Sequence, residues 1–199
     1  MKRKTTIILV AILVLSISTV GAFAYFSDVV SSDNNIFAAG SLILNVDGQH
    51  ANVVKFGVSN MQAGNQPKRS YILENVGTLN GFIDIEAVCV TDYENVRVQP
   101  EIDAGDTTDG TGELSQVLNL RLFIDYDGNG WVSTGDVTFF NGKMDTLPAN
   151  FELDEPLNAG ATINIVALVD WWSTTMDNQV MTDSVDLGLT FELAQTAGQ

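Results

Sequence analysis

Val185-Asp186-Leu187-Gly188-Leu189-Thr190-Phe191-Glu192-Leu193 places an apolar residue at every second position, with small or polar residues between. Successive side chains of an extended chain point to opposite faces, so this period of two predicts a strand with one face in a core and the other toward water. The pattern recurs. Leu118, Leu120, Leu122 and Ile124 alternate with Asn119, Arg121 and Phe123, and Leu42, Leu44 and Val46 alternate with Ile43, Asn45 and Asp47. Runs at about 51–56, 69–76, 81–92 and 161–172 also have strand composition bounded by turn residues. Residues 163–172 are apolar on both faces, which suits a central strand. Long helical periodicity is absent; a short helical turn fits near 173–180 or within 112–117. Many short strands in a chain of this size predict an all-β, antiparallel β-sandwich or jelly roll with long loops.

Upstream of these strands, Lys2, Arg3 and Lys4 precede an uncharged stretch, residues 5–24, that runs through Ile7, Ile8, Leu9, Val10, Ile12, Leu13, Val14 and Leu15. Ala22-Phe23-Ala24 then supplies small residues at the two positions a signal peptidase reads. The expected organisation is a signal peptide over 1–24, cleaved after Ala24, an N-terminal segment over 25–40, and a β-sandwich domain over 41–199. The competing reading of 5–24 is a retained anchor, since the run is nearly long enough to span a bilayer. No second apolar run of that length follows, so membrane contact is expected only through an uncleaved leader.

The chain of 199 residues carries 9 basic and 25 acidic side chains, a formal charge of −16. Loss of the leader removes three of the bases and none of the acids. Such a surface disfavours nucleic acid and anionic lipid as partners and suits divalent cations or high salt. Cys89 is the only cysteine, so no intrachain disulfide can form. On a regular strand it shares a face with Ile83, Ile85 and Ala87, and it is expected in the core.

Asp125-Tyr126-Asp127-Gly128-Asn129-Gly130-Trp131-Val132-Ser133-Thr134-Gly135-Asp136 fits a twelve-residue calcium loop. Oxygen side chains fall at positions 1, 3 and 5 (Asp125, Asp127, Asn129). Gly130 stands where the chain must turn sharply around the ion. Trp131 offers its carbonyl at position 7, Ser133 its hydroxyl at position 9, and Asp136 closes the loop at position 12. A hard cation needs such a cage of oxygens, and alternate residues of a curling loop supply it. Aspartate at position 12 and a strand leading in, where an EF-hand has glutamate and a helix, point to a structural Ca2+ site and not a switch. The alternative is a polar turn built on Asp-Gly and Asn-Gly. The acidic loop over 103–113 offers Asp103, Asp106, Asp109 and Glu113 to a second ion, but their spacing matches no fixed template.

Catalytic patterns are sparse. His50 is the only histidine, so a His-Glu-x-x-His zinc site cannot be built. It lies in the polar turn Asp47-Gly48-Gln49-His50, and a surface histidine is the expectation, with no catalytic residue assigned. No P-loop or dinucleotide fingerprint occurs. Trp171-Trp172 suits either a sugar-binding face or a core residue beside a rim residue.

Four segments together resemble the TasA/camelysin family: Ala22-Phe23-Ala24-Tyr25-Phe26-Ser27-Asp28; Asn35-Ile36-Phe37-Ala38-Ala39-Gly40-Ser41-Leu42-Ile43-Leu44; Leu122-Phe123-Ile124-Asp125-Tyr126-Asp127-Gly128; and Leu189-Thr190-Phe191-Glu192-Leu193-Ala194-Gln195. The resemblance implies a secreted jelly-roll protein, processed by a dedicated signal peptidase. It also implies assembly, as a structural subunit, into an extracellular filament: a biofilm-matrix fibre or, as in archaeal relatives, a bundling pilus. In such filaments the mature N-terminus is a donor strand that completes the sheet of the next subunit. Here that segment would be Tyr25-Phe26-Ser27-Asp28-Val29-Val30-Ser31. Its partners would be copies of the same chain joined head to tail, with a minor matrix subunit as a further candidate, and a head-to-tail contact that does not close makes a filament. Two alternatives stand beside this reading: a monomeric calcium-binding adhesion module of the cell surface, and a camelysin-like secreted peptidase.

Overall fold

The computed structural model describes residues 40–62, 64–171 and 178–198. The leader, the segment Tyr25–Ser31 and residues 173–177 lie outside these. Gly40–Gln199 form one compact unit.

Nine strands follow one another among the described residues: β1 (Leu44–Val46), β2 (Val53–Ser59), β3 (Lys68–Asn75), β4 (Gly81–Tyr93), β5 (Leu118–Asp125), β6 (Val137–Lys143), β7 (Phe151–Leu157), β8 (Thr162–Trp171) and β9 (Ser184–Ala194). Among the described residues, helix is confined to α1 (Gln99–Asp103), α2 (Leu114–Val117) and a 3₁₀ turn at Met144–Thr146. Among the described residues, no helix is long and apolar enough to cross a membrane.

The strands form two antiparallel sheets, ordered β1-β3-β8-β5-β6 and β2-β9-β4-β7. From β2 onward the chain passes from one sheet to the other at every connection except β5 to β6, which is a hairpin within one sheet. With β1 set aside, the two interleaved four-stranded sheets are those of a jelly roll, two Greek keys wound together. The antiparallel sandwich expected from the periodicity is therefore the observed fold. β8, apolar on both faces, is central in its sheet as expected.

The core lies where the inner faces meet. Leu118, Leu120, Leu122 and Ile124 of β5 and Ile165, Ala167 and Val169 of β8 face Val185, Leu187, Leu189 and Phe191 of β9 and Ile83 and Ile85 of β4. Tyr71 of β3 meets Phe191 edge to face across the two sheets, with ring centroids 5.7 Å apart. Phe123, Val166 and Leu168 point the other way and form a separate buried cluster on the outer side of their sheet.

One sequence expectation is overturned. Cys89 is exposed, not buried. The pairing of β4 with β9 slips between Ile85 and Ala87. The extra residue turns every later side chain to the opposite face. Val88 and Val90 therefore pack on the core and Ala87, Cys89 and Thr91 face out. On the other side of β4, the buried Asp84 accepts hydrogen bonds from the backbone N–H groups of Leu153 (2.6 Å) and Asp154 (2.8 Å), where β4 and β7 lose register.

At the start of the domain, Thr78 N–H and Leu79 N–H both donate to the Ser41 carbonyl, and Val76 N–H donates to that of Ile43. These bonds hold the incoming chain beside β3. β1 itself is short, pairing only with Leu73, Glu74 and Asn75 of the eight-residue β3. Beyond it, Asp47 reaches back to the β3 edge: its Oδ1 accepts from Ile72 N–H at 3.0 Å, and its Oδ2 from the Arg69 guanidinium at 2.6 Å.

Candidate metal centre in the β5–β6 hairpin

The loop over 125–136 is the turn of the one hairpin made within a single sheet. Ile124 pairs with Val137, so Asp125 at the end of β5 and Asp136 just before β6 are brought side by side by strand register. Asp127 curls back between them. One carboxylate oxygen from each of Asp125, Asp127 and Asp136 lies within 4.8 Å of the others.

Hydrogen bonds within the loop fix this arrangement. The buried Asp125 accepts from Gly128 N–H through Oδ1 and from Gly130 N–H through Oδ2, both at 2.8 Å. Asp127 accepts from the Asn129 backbone at 3.1 Å, the Asn129 amide at 2.7 Å and the Ser133 hydroxyl at 2.9 Å. Asp136 accepts from Tyr126 N–H at 3.0 Å and Ser133 N–H at 2.7 Å. Asn129 Oδ1 accepts from Trp131 N–H at 2.6 Å. Gly128 and Gly130 have φ of 71° and 73°, left-handed values that an L side chain adopts at a cost. Outside the ring of carboxylates, Lys68 donates to the Gly130 carbonyl at 2.9 Å, with its ammonium 4.0 Å from the centre of the exposed Trp131 ring.

The Asn129 N–H, followed by the Ser133 hydroxyl, holds the Asp127 carboxyl below its ordinary range. Next to the loop, burial raises the Tyr126 phenol to about 12, assisted by Glu155, which accepts its hydroxyl at 2.8 Å.

Of the residues singled out in the sequence, Asp125, Asp127, Asn129, Ser133 and Asp136 are thus joined in one hydrogen-bonded loop. Trp131 contributes its N–H to that loop. Each carboxylate oxygen has two lone pairs, so those already bonded to N–H groups can still coordinate an ion. Three convergent carboxylates with amide and hydroxyl oxygens form an all-oxygen donor set, the set a hard divalent cation takes. The donor-strand residues Tyr25–Ser31 fall outside the described residues. His50 is exposed, in the turn that follows β1.

The acidic residues of the 103–113 stretch do not converge as a group. Asp103, the last residue of α1, accepts from Gln99 at 2.8 Å, and Asp109 pairs with Arg97 at 3.0 Å. Asp106 and Glu113 are drawn together by Thr108, whose hydroxyl lies within hydrogen-bond distance of both carboxylates and can donate its one proton to either.

Fold and loop together define a jelly-roll β-sandwich with an acidic hairpin loop suited to a hard cation. The chain belongs to the camelysin metallo-endopeptidase family, which its residues 1–119 match. TasA belongs to the same family, as the sequence resemblance implied, and its members are extracellular or cell-surface proteins. The matched stretch ends just inside β5, so the 125–136 loop and β6–β9 lie beyond it. Among curated proteins, none matches the chain.

Proposed function

We propose that this chain is a secreted structural subunit of an extracellular filament, joined to its neighbours by donor-strand complementation and stabilised by calcium in the β5–β6 hairpin. The observation that carries this reading is the edge of β3. A family whose members act outside the cell supplies the context, and β3 supplies a place to add a strand: among the described residues, β1 pairs with only Leu73–Asn75. Toward its start, Lys68–Tyr71 have β8 on one side and no described strand on the other, the free edge beginning just before Ile72, whose N–H and carbonyl are bonded to Asp47. An open edge of this kind gains backbone hydrogen bonds when a segment with alternating side chains is laid along it. Tyr25, Phe26, Val29 and Val30 give the N-terminal segment that character.

Charge bears on assembly too. Subunits carrying −16 or more repel one another until salt or a bound cation screens them. Calcium at Asp125, Asp127 and Asp136 would neutralise part of that charge and fix the hairpin. We assign the chain no proteolytic role. The family's description names a metallo-endopeptidase, but the only histidine, His50, stands alone in an exposed turn.

Deleting residues 25–31 tests the donor-strand assignment. The truncated protein is expected to fold as a monomer that cannot extend filaments, and a synthetic peptide of residues 25–36 is expected to block growth of the intact protein. Filaments of normal appearance from the truncated protein would show that the segment is not the connector.

A further inference from the structure

Away from the hairpin, around the end of β4 and the start of β9, five carboxylate oxygens are sealed from solvent and accept no hydrogen bond: both oxygens of Glu94, Oδ2 of Asp106, Oε2 of Glu113 and Oδ1 of Asp183; Oδ2 of Asp84, elsewhere on β4, is a sixth that stands apart from them. Asp183 is 3% exposed and Asp106 7%. Buried polar atoms in folded proteins nearly always have partners, and an unpaired buried carboxylate is especially costly. No salt bridge reaches Glu94, Asp106, Glu113 or Asp183 among the described residues; Arg97, whose charge bears on Asp106, is engaged with the exposed Asp109.

The geometry is convergent. One oxygen each from Glu94, Glu113 and Asp183 lie within 4.8 Å of one another. Three features of the fold bring them there. Tyr93 at the end of β4 pairs with Ser184 at the start of β9, so Glu94 and Asp183 are the next residues beyond that pair on each chain. Glu113 N–H donates to Asp183 Oδ2 at 2.7 Å, which fixes the Asp183 carboxylate and leaves Oδ1 free. Gly112 allows the approach: a Cβ there would lie 2.7 Å from the Asp183 carboxylate and from the Tyr93 carbonyl. Asp106 joins through Thr108, whose hydroxyl lies within hydrogen-bond distance of both Asp106 and Glu113. Neighbouring Glu101 differs, since its oxygens accept from Val98 and Thr182 N–H groups.

We propose that Glu94, Glu113 and Asp183, with Asp106 beside them, form a second divalent-cation site, for calcium, distinct from the hairpin loop. An ion there supplies the partner that the unpaired oxygens lack. An all-carboxylate donor set with bidentate capacity at Glu94 selects a hard ion of calcium's size and flexible coordination. The site fastens the long excursion between β4 and β5 to the start of β9. In its absence the carboxylates repel, and burial and these neighbours raise Glu94 to about 7 and Asp183 to about 6.

Calorimetric titration of calcium into the purified protein, Asp127→Ala and Asp127→Ala/Glu94→Gln/Asp183→Asn tests this independently of the hairpin. The expected result is that the Asp127→Ala protein still binds one calcium per chain and that the triple variant, folded by circular dichroism, binds none. An Asp127→Ala protein that is folded but binds no calcium overturns the second site, as does calcium binding that survives in the triple variant. Should the triple variant not fold, Glu94→Gln alone decides. Melting above the unmutated protein in chelator, together with a smaller calcium-induced rise, supports the site, whereas an unchanged calcium-induced rise overturns it. Loss of all calcium binding on Glu94→Gln/Asp183→Asn, with none lost on Asp127→Ala, would keep this site and remove the hairpin one.

Discussion

The backbone N–H of Glu113 donates to Asp183 Oδ2 at 2.7 Å, a contact between residues 70 positions apart. With the bonds that join Asn95, Val96 and Glu101 to Thr182, it holds the excursion after β4 against the start of β9, and it turns the other Asp183 oxygen into a buried group of unpaired carboxylates. Stability of this end of the sandwich should therefore depend on what neutralises that group.

Gly112 is the first test of that packing. Gly112→Ala places a methyl group 2.7 Å from both the Asp183 carboxylate and the Tyr93 carbonyl, and the carbonyl is backbone that cannot swing aside. The expected destabilisation is about 1–3 kcal/mol, read by chemical denaturation. Unchanged stability would mean that the excursion does not pack as described.

The same group gives a pH signature. Glu94, raised from 4.5 to about 7 by burial and then by Asp183, Glu101, Asp106 and Glu113, holds its proton more tightly in the folded state than in the unfolded one. Asp183, raised to about 6 chiefly by burial, with Glu113, Glu101 and Asp92 adding to it, behaves alike. Protonation therefore favours the fold, and that contribution is lost as pH rises through the window. In chelator the melting temperature is expected to fall between about pH 4.5 and pH 7, and added calcium is expected to suppress the fall. A melting temperature that rises across that window in chelator would contradict the buried cluster.

For the hairpin, Asp127→Ala removes the carboxylate that Asn129 and Ser133 orient. Calcium at one hundred times its dissociation constant is expected to raise the melting temperature through this site by about 5–10 °C, an increment the variant loses. An equal calcium-induced rise in both proteins would remove the hairpin site.

Cys89 reports on the slip in β4. It faces outward because the register shifts between Ile85 and Ala87. A thiol reagent should label the native protein stoichiometrically, without denaturant. Labelling that requires unfolding would restore the core position that simple alternation predicts.

These residues also show what could be read from the chain alone. β5, β8 and β9 are buried on at least one face, so burial selects an apolar residue at each inward position and the period of two shows plainly. β6 and β7 are edge strands and were not legible. Val137-Thr138-Phe139-Phe140-Asn141-Gly142-Lys143 is only partly buried, and β7 carries Pro156 and a positive φ at Asp154. The slip in β4 has no local signature, because it is a mismatch with β9 and not a property of either strand, which is why Cys89 was misplaced. The hairpin loop was legible because its donors are close in sequence. Glu94 and Asp183 meet only after Tyr93 has paired with Ser184, and no spacing rule anticipates that.

Negative-stain electron microscopy of the purified secreted protein, in calcium and in chelator, tests the central claim most directly. The account predicts filaments of uniform width in calcium, sparser or shorter in chelator at low salt, because a subunit this acidic must be screened before edges can pair. Monodisperse single particles under every calcium and salt condition, at concentrations well above those in culture, would contradict a filament subunit and favour a monomeric calcium-binding surface module.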